Sequence, residues 1–326
     1  MKGLRTTAAA LCLPPLLTVW AGAKGLEASR AGHGAALRGQ GLSGLGPVLA
    51  VCAAVILLAG LFVRAGKRRG KPSGTQAAGP KPVVQTASVH QIGRRSSQQD
   101  SFGLAPLEDG VLAVVADGMG GLSDGDQMSQ GVVASVLRQA ASLAPGQMDG
   151  VLTAIIEQAN DDINRQLGPE GLYRSGSTVV AALVRDGAFH WISVGDSRVY
   201  LYHDGGLLQM NREHTYAMEL MQMVLNGEIT QAQADSDPQR RGLTSFIGMG
   251  QLRYIDASLQ RVQLSPGDRV LLLTDGVFNN LPEQTLAEIL RIHPDLQEAA
   301  RALEEQVLAL RDPAQDNFTA LLLGWQ

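Results

Sequence analysis

Residues 111–121 read VLAVVADGMGG: six apolar residues run into one aspartate, and glycine fills three of the next four positions. Residues 270–276, VLLLTDG, repeat the arrangement. A strand buried on both faces is apolar throughout and presents polar groups only at its end. Both stretches therefore predict a central strand that delivers a carboxylate, Asp117 or Asp275, to the rim of a sheet. The glycines that follow, Gly118 and Gly276, let the main chain turn sharply and approach a ligand with no Cβ in the way. Two carboxylates brought to neighbouring strand ends repel each other unless a cation lies between them.

Other strand-like runs lie at 178–185, 188–194, 197–203, 268–274 and 317–324. Asp186-Gly187 separates two of them and Asp204-Gly205 follows a third, a strong hairpin signal that makes the middle of the chain antiparallel. Apolar residues at three- and four-residue steps predict amphipathic helices over 148–167 (Leu152, Ile155, Ile156, Ala159, Ile163, Leu167) and 295–311. Strand meanders with covering helices predict a layered α/β or α+β domain. Residues 210–250 are less regular, polar and Met-rich, with Gly227 and Pro238 breaking them; they read as a mobile insertion bordering a site.

The N-terminus has a different character. Residues 1–23 carry Lys2 and Arg5, an apolar stretch and Ala21-Gly22-Ala23, the layout of a signal peptide or a first membrane segment. A short Gly-rich external segment, 24–46, leads to the uncharged run 47–63, within the range of a transmembrane helix. RAGKRRGK at 64–71 follows with five basic residues and no acidic one, which places the remainder on the cytoplasmic side of a cell membrane. Residues 64–82 form a basic Gly/Pro-rich linker, and the folded domain runs from 83 to 326. Both cysteines, Cys12 and Cys52, lie in the apolar segments, so the domain has no disulfide and no thiolate metal site. A net charge of −4 and 4% aromatic residues argue against nucleic acid as a partner.

Asp100 closes IGRRSSQQD and Asp316 opens DNFTALLLGW, each at the edge of a strand-like run. With Asp117 and Asp275 they make an oxygen-only donor set that suits Mg²⁺ or Mn²⁺ rather than zinc. Two such cations can clamp a phosphate and activate water. Arg94 or Arg95 could hold the phosphoryl oxygens with its fork of donors.

In order, GRRSSQQDSFG (93–103), VADGMGG (115–121), SGSTVVAAL (175–183), VGDSRVYL (194–201), REHT (212–215), LTSFIGMG (243–250), LLLTDGVFN (271–279) and DNFTALLL (316–323) resemble the bacterial branch of the metal-dependent serine/threonine protein phosphatases, type 2C. The resemblance implies an α+β fold of two packed antiparallel sheets flanked by helices, a four-layer α-β-β-α sandwich, here preceded by a transmembrane segment. It implies Asp117 as the ligand bridging two metals, with Gly118 adding its carbonyl oxygen, and Asp275 and Asp316 as ligands of the second metal. Asp100 is similar to the aspartate that holds metal-bound water, Arg95 to the phosphate binder, and Asp196 to a ligand of a third, weaker metal. Residues 210–250 resemble the variable flap.

Two positions depart from the family. Gln99 stands where Glu is common, which removes a charge from the outer shell, and Met119 stands where eukaryotic members often carry His. His214 in REHT is read as structural, holding the flap base, with general acid as the alternative role. The expected function is hydrolysis of phosphoserine and phosphothreonine by metal-bound hydroxide at a binuclear Mg²⁺/Mn²⁺ centre. Phosphoproteins are the substrates, and a cognate serine/threonine kinase or its products the natural counterpart. The alternative is a catalytically weak phosphatase-like module that senses phosphoproteins. A phosphomonoesterase for small metabolites fits the long flap and the anchor less well.

Overall fold

The structure, a computed structural model, describes residues 84–120 and 124–326. The segments expected at 1–23, 24–46 and 47–63 and the linker 64–82 lie outside the described residues. Among the described residues, no helix is long and apolar enough to cross a membrane.

The chain begins with β1 (Val84–Gln91), β2 (Asp100–Leu107), β3 (Gly110–Met119), α1 (Asp124–Ala140) and α2 (Val151–Gly171). Then come β4 (Gly176–Ser177), β5 (Val179–Arg185), β6 (Ala188–Val194), β7 (Arg198–His203) and β8 (Gly206–Gln209). The insertion holds α3 (Tyr216–Leu225) and α4 (Gln231–Ser236). It is followed by β9 (Asp256–Ala257), β10 (Val262–Gln263), β11 (Arg269–Leu273), α5 (Asp275–Phe278), α6 (Glu283–Ile292), α7 (Leu296–Ala309) and β12 (Phe318–Trp325).

One antiparallel sheet has the order β1-β12-β11-β7-β8, and the other has β10-β6-β5-β3-β2, with β4 paired to β3 and β9 to β6. The two-residue alternation of a strand sorts the apolar residues into layers. On β3, Val111, Ala113 and Val115 meet Val270, Leu272 and Leu321 of the other sheet. Leu112, Val114 and Ala116 turn the other way, under α1 and α2. On β11, Leu271 and Leu273 turn outward under α6 and α7. This is the expected α-β-β-α sandwich. The central strands are apolar on both faces because each lies between a sheet and a helical layer, and each fully buried aliphatic side chain contributes roughly 1.5–3 kcal/mol.

The hairpin reading holds in detail: Asp186 and Gly187 (φ 46° and 74°) join β5 to β6, and Asp204 and Gly205 (φ 48° and 79°) join β7 to β8. The helix read over 148–167 is the body of α2, which breaks where Gly168 takes φ 63° ahead of Pro169. The insertion is more regular than its composition implies. Thr230 caps α4 through a reciprocal capping box with Gln233, which satisfies two otherwise unpaired amides at once. A bridge between Thr215 and Leu243 closes its neck. Tyr216 N and Ala217 N donate to Gly242 O (2.8 Å) and Arg240 O (2.9 Å). On the return side, Asn160 and Asn164 of α2 both donate to Gly250 O, at 2.7 and 2.8 Å.

Candidate metal centre

Asp100 opens β2 and stands directly opposite Asp117 on β3. The expectation that Asp117 ends its strand is corrected here: β3 continues through Gly118 to Met119 by pairing with Ser177 and Gly176 of β4. Pairing with β5 stops at Val115, so Asp117 sits where the ladder changes partner. Its main chain is held there by Thr178, whose Oγ1 accepts from Asp117 N at 3.1 Å and whose N donates to Asp117 O at 2.8 Å. Gly118 is no turn either. It is glycine because a Cβ there would lie 1.8 Å from Gly125 O, in the first turn of α1. Asp275 does follow a strand end, as expected; it is the first residue of α5, with Thr274 as N-cap. Asn279 donates to its Oδ2 at 3.0 Å.

Asp316 precedes β12 and accepts from Arg95 at 2.6 Å. Asp196 occupies the β6–β7 turn, beside Gly195. Asp100 faces Asp117 across the ladder, Thr274 beside Asp275 donates to Asp100, and Asp196 and Asp275 line one cavity, so the aspartates lie in one region. Burial, opposed by the hydroxyls of Thr319 and Thr274 and reinforced by Asp275 and Asp316, pushes the Asp100 carboxyl up to about 7. Burial, then Asp100, Asp275, Asp196 and Asp316, push the Asp117 carboxyl well up. Asp196 rises to about 7 through burial, Asp275 and Glu213. Asp275 rises through burial and Asp316, with Arg95 and Arg241 opposing. Arg95 joins the cluster through Asp316, whereas Arg94 is tied by its backbone N to Gln315 O at 2.8 Å.

Among the described residues, no three His, Cys, Asp or Glu side chains stand in ready-made ligating geometry. The donor set nevertheless fits hard divalent cations. It is all oxygen and its carboxylates are under mutual repulsion that a cation relieves. Mg²⁺ keeps several waters and takes only one or two carboxylates from the protein.

Several supporting residues escaped the reading of the motifs. Thr274 and Thr319 both donate to Asp100 Oδ2 at 2.8 Å, which fixes that carboxylate and leaves Oδ1 without a hydrogen bond among the described residues. Asn317 accepts from Gln99 N at 2.8 Å and donates to Ile92 O and Ser97 O, so it folds the arginine loop onto β12. All three lie inside the TDG and DNFT stretches, and that adjacency was the available signal. Gln99 accepts from Gly118 N through its backbone O at 2.9 Å, and its amide lies over Gly125, where a Cβ would come within 2.4 Å. Met119 pairs with Gly176. His214 is 3% exposed. Its Nδ1 accepts from Gly195 N at 3.1 Å, and its backbone N donates to Gly195 O at 2.8 Å. It thus ties the base of the insertion to the turn that carries Asp196.

Two packed antiparallel sheets with flanking helices, and aspartates gathered at one end between them, define a class. The chain matches the family model for protein phosphatase 2C over residues 89–316 and belongs to that family. It is 33% identical over 216 residues to the serine/threonine protein phosphatase PstP of Mycobacterium tuberculosis, a match covering 65% of this chain and 40% of that protein. It is 30% identical to the serine/threonine phosphatase stp of Listeria monocytogenes, covering 70% of this chain and 90% of stp. The chain thus spans well under half the length of PstP. A solved structure of the PstP catalytic domain in complex with two manganese ions superposes with a TM-score of 0.61 at 27% identity, covering 75% of this chain and 99% of that one.

Proposed function

We propose that this chain is a membrane-anchored, cytoplasm-facing protein serine/threonine phosphatase that hydrolyses phosphoserine and phosphothreonine at a binuclear Mn²⁺ or Mg²⁺ centre. One observation carries the reading: Asp100, which is 2% exposed, faces Asp117 across the ladder, and the carboxyls of Asp100, Asp117, Asp196 and Asp275 are raised, by burial first and by neighbouring aspartates after it. Such repulsion is a standing cost unless cations occupy the site. Asp117, Asp275 and Asp316, with Gly118 O, are the residues to hold two ions, Asp100 to hold water beside them, and Asp196 to share a third ion with Asp275. Divalent cations in that position supply a clamp for phosphoryl oxygens and acidify water.

The protein's own residues do the rest. Thr274 and Thr319 hold the Asp100 carboxylate in one orientation, so the oxygen it leaves free can accept a hydrogen bond from water along a fixed line. Arg95, on a loop pinned by Asn317, offers its fork to the phosphoryl oxygens. The relatives' names and the two manganese ions of the PstP structure support the assignment. The uncharged run 47–63 and the five basic residues after it support the anchor and its orientation. Phosphoproteins are the substrates, with a serine/threonine kinase or its products as the counterpart.

The test is phosphate release from a phosphothreonine peptide by the full chain in detergent, with Mn²⁺, with EDTA, and with Asp275→Asn. Release that requires both the metal and Asp275 is the expected result. Background release with saturating Mn²⁺, from a folded chain that binds the peptide, would instead make it a phosphoprotein sensor.

A further inference from the structure

A cavity of about 360 Å³ opens beside Asp275 and Asp196 and is lined on its outer side by the insertion. Three arginines line it, and two are already engaged. Arg198 donates to Glu213 at 2.6 Å and to Tyr200 at 2.9 Å, and lies 3.8 Å over the Phe278 ring. Arg240 is paired with Asp235 at 3.2 Å. Arg241 lines the same cavity, and its guanidinium makes no hydrogen bond and no ion pair among the described residues. Its charge, with that of Arg95, opposes the rise of the Asp275 carboxyl that burial and Asp316 cause.

Nor is Arg241 on a loose arm. The residues on either side of it are bonded to the start of α3, Arg240 O to Ala217 N at 2.9 Å and Gly242 O to Tyr216 N at 2.8 Å. Glu213 is matched by Arg198 and Asp235 by Arg240, and Asp196 and Asp275 are the residues that would hold cations. Among the described residues, Arg241 is left as a positive charge on a pinned main chain without a hydrogen-bond or ion-pair partner. Arg95, assigned to the phosphate, does not line this cavity, so a second anionic group is what Arg241 can recognise.

We propose that Arg241 determines substrate specificity by binding an acidic side chain that flanks the phosphorylated residue of a phosphoprotein. The inference rests on the phosphatase reading and goes beyond it, since it names a sequence feature of the substrate. A guanidinium–carboxylate contact at a half-open site favours the acidic substrate by about three- to tenfold. The preference shrinks as salt screens it.

The experiment uses the full chain with Mn²⁺ and phosphothreonine peptides of neutral flanks. A single Asp, or a single Lys, is moved through each flanking position. The reading is the ratio of kcat/KM for the charged and neutral peptides, in which a general loss of activity cancels. The wild-type chain favours Asp at one or more positions by about three- to tenfold at low salt. Arg241→Lys keeps part of that ratio, Arg241→Gln brings it to about one, and Arg241→Glu shifts the preference to Lys. A wild-type chain indifferent to Asp at every position overturns the proposal. So does a preference that survives in Arg241→Gln and Arg241→Glu, or a loss that falls equally on Asp and neutral peptides. Hydrolysis of a small aryl phosphate separates the two levels. If the wild-type chain cleaves it but shows no Asp preference, only the role of Arg241 fails; if it cleaves neither ester nor peptide, the phosphatase reading fails and this inference with it.

Discussion

Replacing Asp100 with asparagine stabilises the metal-free protein. Asp100 is 2% exposed, and its carboxyl is pushed from an ordinary 3.8 up to about 7, burial being the first cause. A group whose folded pKa lies above its unfolded value contributes stability below the unfolded pKa and loses it as pH rises through the folded one. Between about pH 4 and 7 the folded chain therefore loses up to about 4 kcal/mol at this residue, at 1.36 kcal/mol for each unit. Above that window the cost is constant. Asparagine has no charge to bury, and Thr274 and Thr319, which donate to Oδ2 now, donate equally well to an amide oxygen. With relaxation and water entry taking about half, the gain is about 2 kcal/mol near pH 8. For a domain of this size that raises Tm by about 4–8 °C. The assay is thermal unfolding of wild type and Asp100→Asn in EDTA at about pH 4 and about pH 8, then with Mn²⁺. The gain is expected near pH 8 and nearly absent near pH 4, where the folded carboxyl is protonated and the unfolded one is only about half ionised. Excess Mn²⁺ offsets it, because a ligand at about 100 times its Kd stabilises the wild type by about 2.7 kcal/mol. If Asp100→Asn is destabilising by the same margin at both pH values in EDTA, the carboxylates are not under electrostatic stress, and the argument for cations loses its foundation.

Two other substitutions probe the same region. Gly118→Ala places a Cβ 1.8 Å from Gly125 O; a main-chain clash cannot be relieved by a rotamer change, so we expect a loss of about 3 kcal/mol or more in urea unfolding, and a loss under about 1 kcal/mol would show that α1 shifts freely. Gln99→Glu places a carboxylate over Gly125 and should tighten Mn²⁺ binding severalfold by calorimetry, whereas unchanged affinity would mean that the Gln99 amide serves only to pack there.

The fold was most legible where a strand is buried on both faces, because a short unbroken apolar run bounded by turn residues suits a central strand better than any surface element. VLAVVA, TVVAALV and VLLLT became β3, β5 and β11. Helix α1 went unread because its buried face is not apolar enough to show a period. Ser129 and Ser135 lie on it, fully buried, satisfied by Ser101 and by Asp162 from other elements. Those partners are invisible to a local window. Strand β2, DSFGLAPL, carries Gly103 and Pro106 and looks like a loop; as an edge strand it tolerates both. The aspartates were legible because ligands must be carboxylates and their order along the chain is distinctive. Thr274, Thr319 and Asn317 were not, since a hydroxyl or amide beside a turn has many ordinary uses. Only the register of β11 and β12 shows that they converge on Asp100 and the arginine loop.

The neck of the insertion has an evolutionary consequence. Thr215 and Leu243 bridge each other at its entrance, His214 is locked to Gly195 before it, and Asn160 and Asn164 hold Gly250 after it. Among the described residues, 216–242 make no hydrogen bond to the strands that carry the aspartates. Residues 216–242 therefore form an exchangeable cassette: mutation can rewrite α3, α4 and the arginine pair, or a graft can replace them, while the centre beneath keeps its chemistry. New substrates become reachable without a new active site.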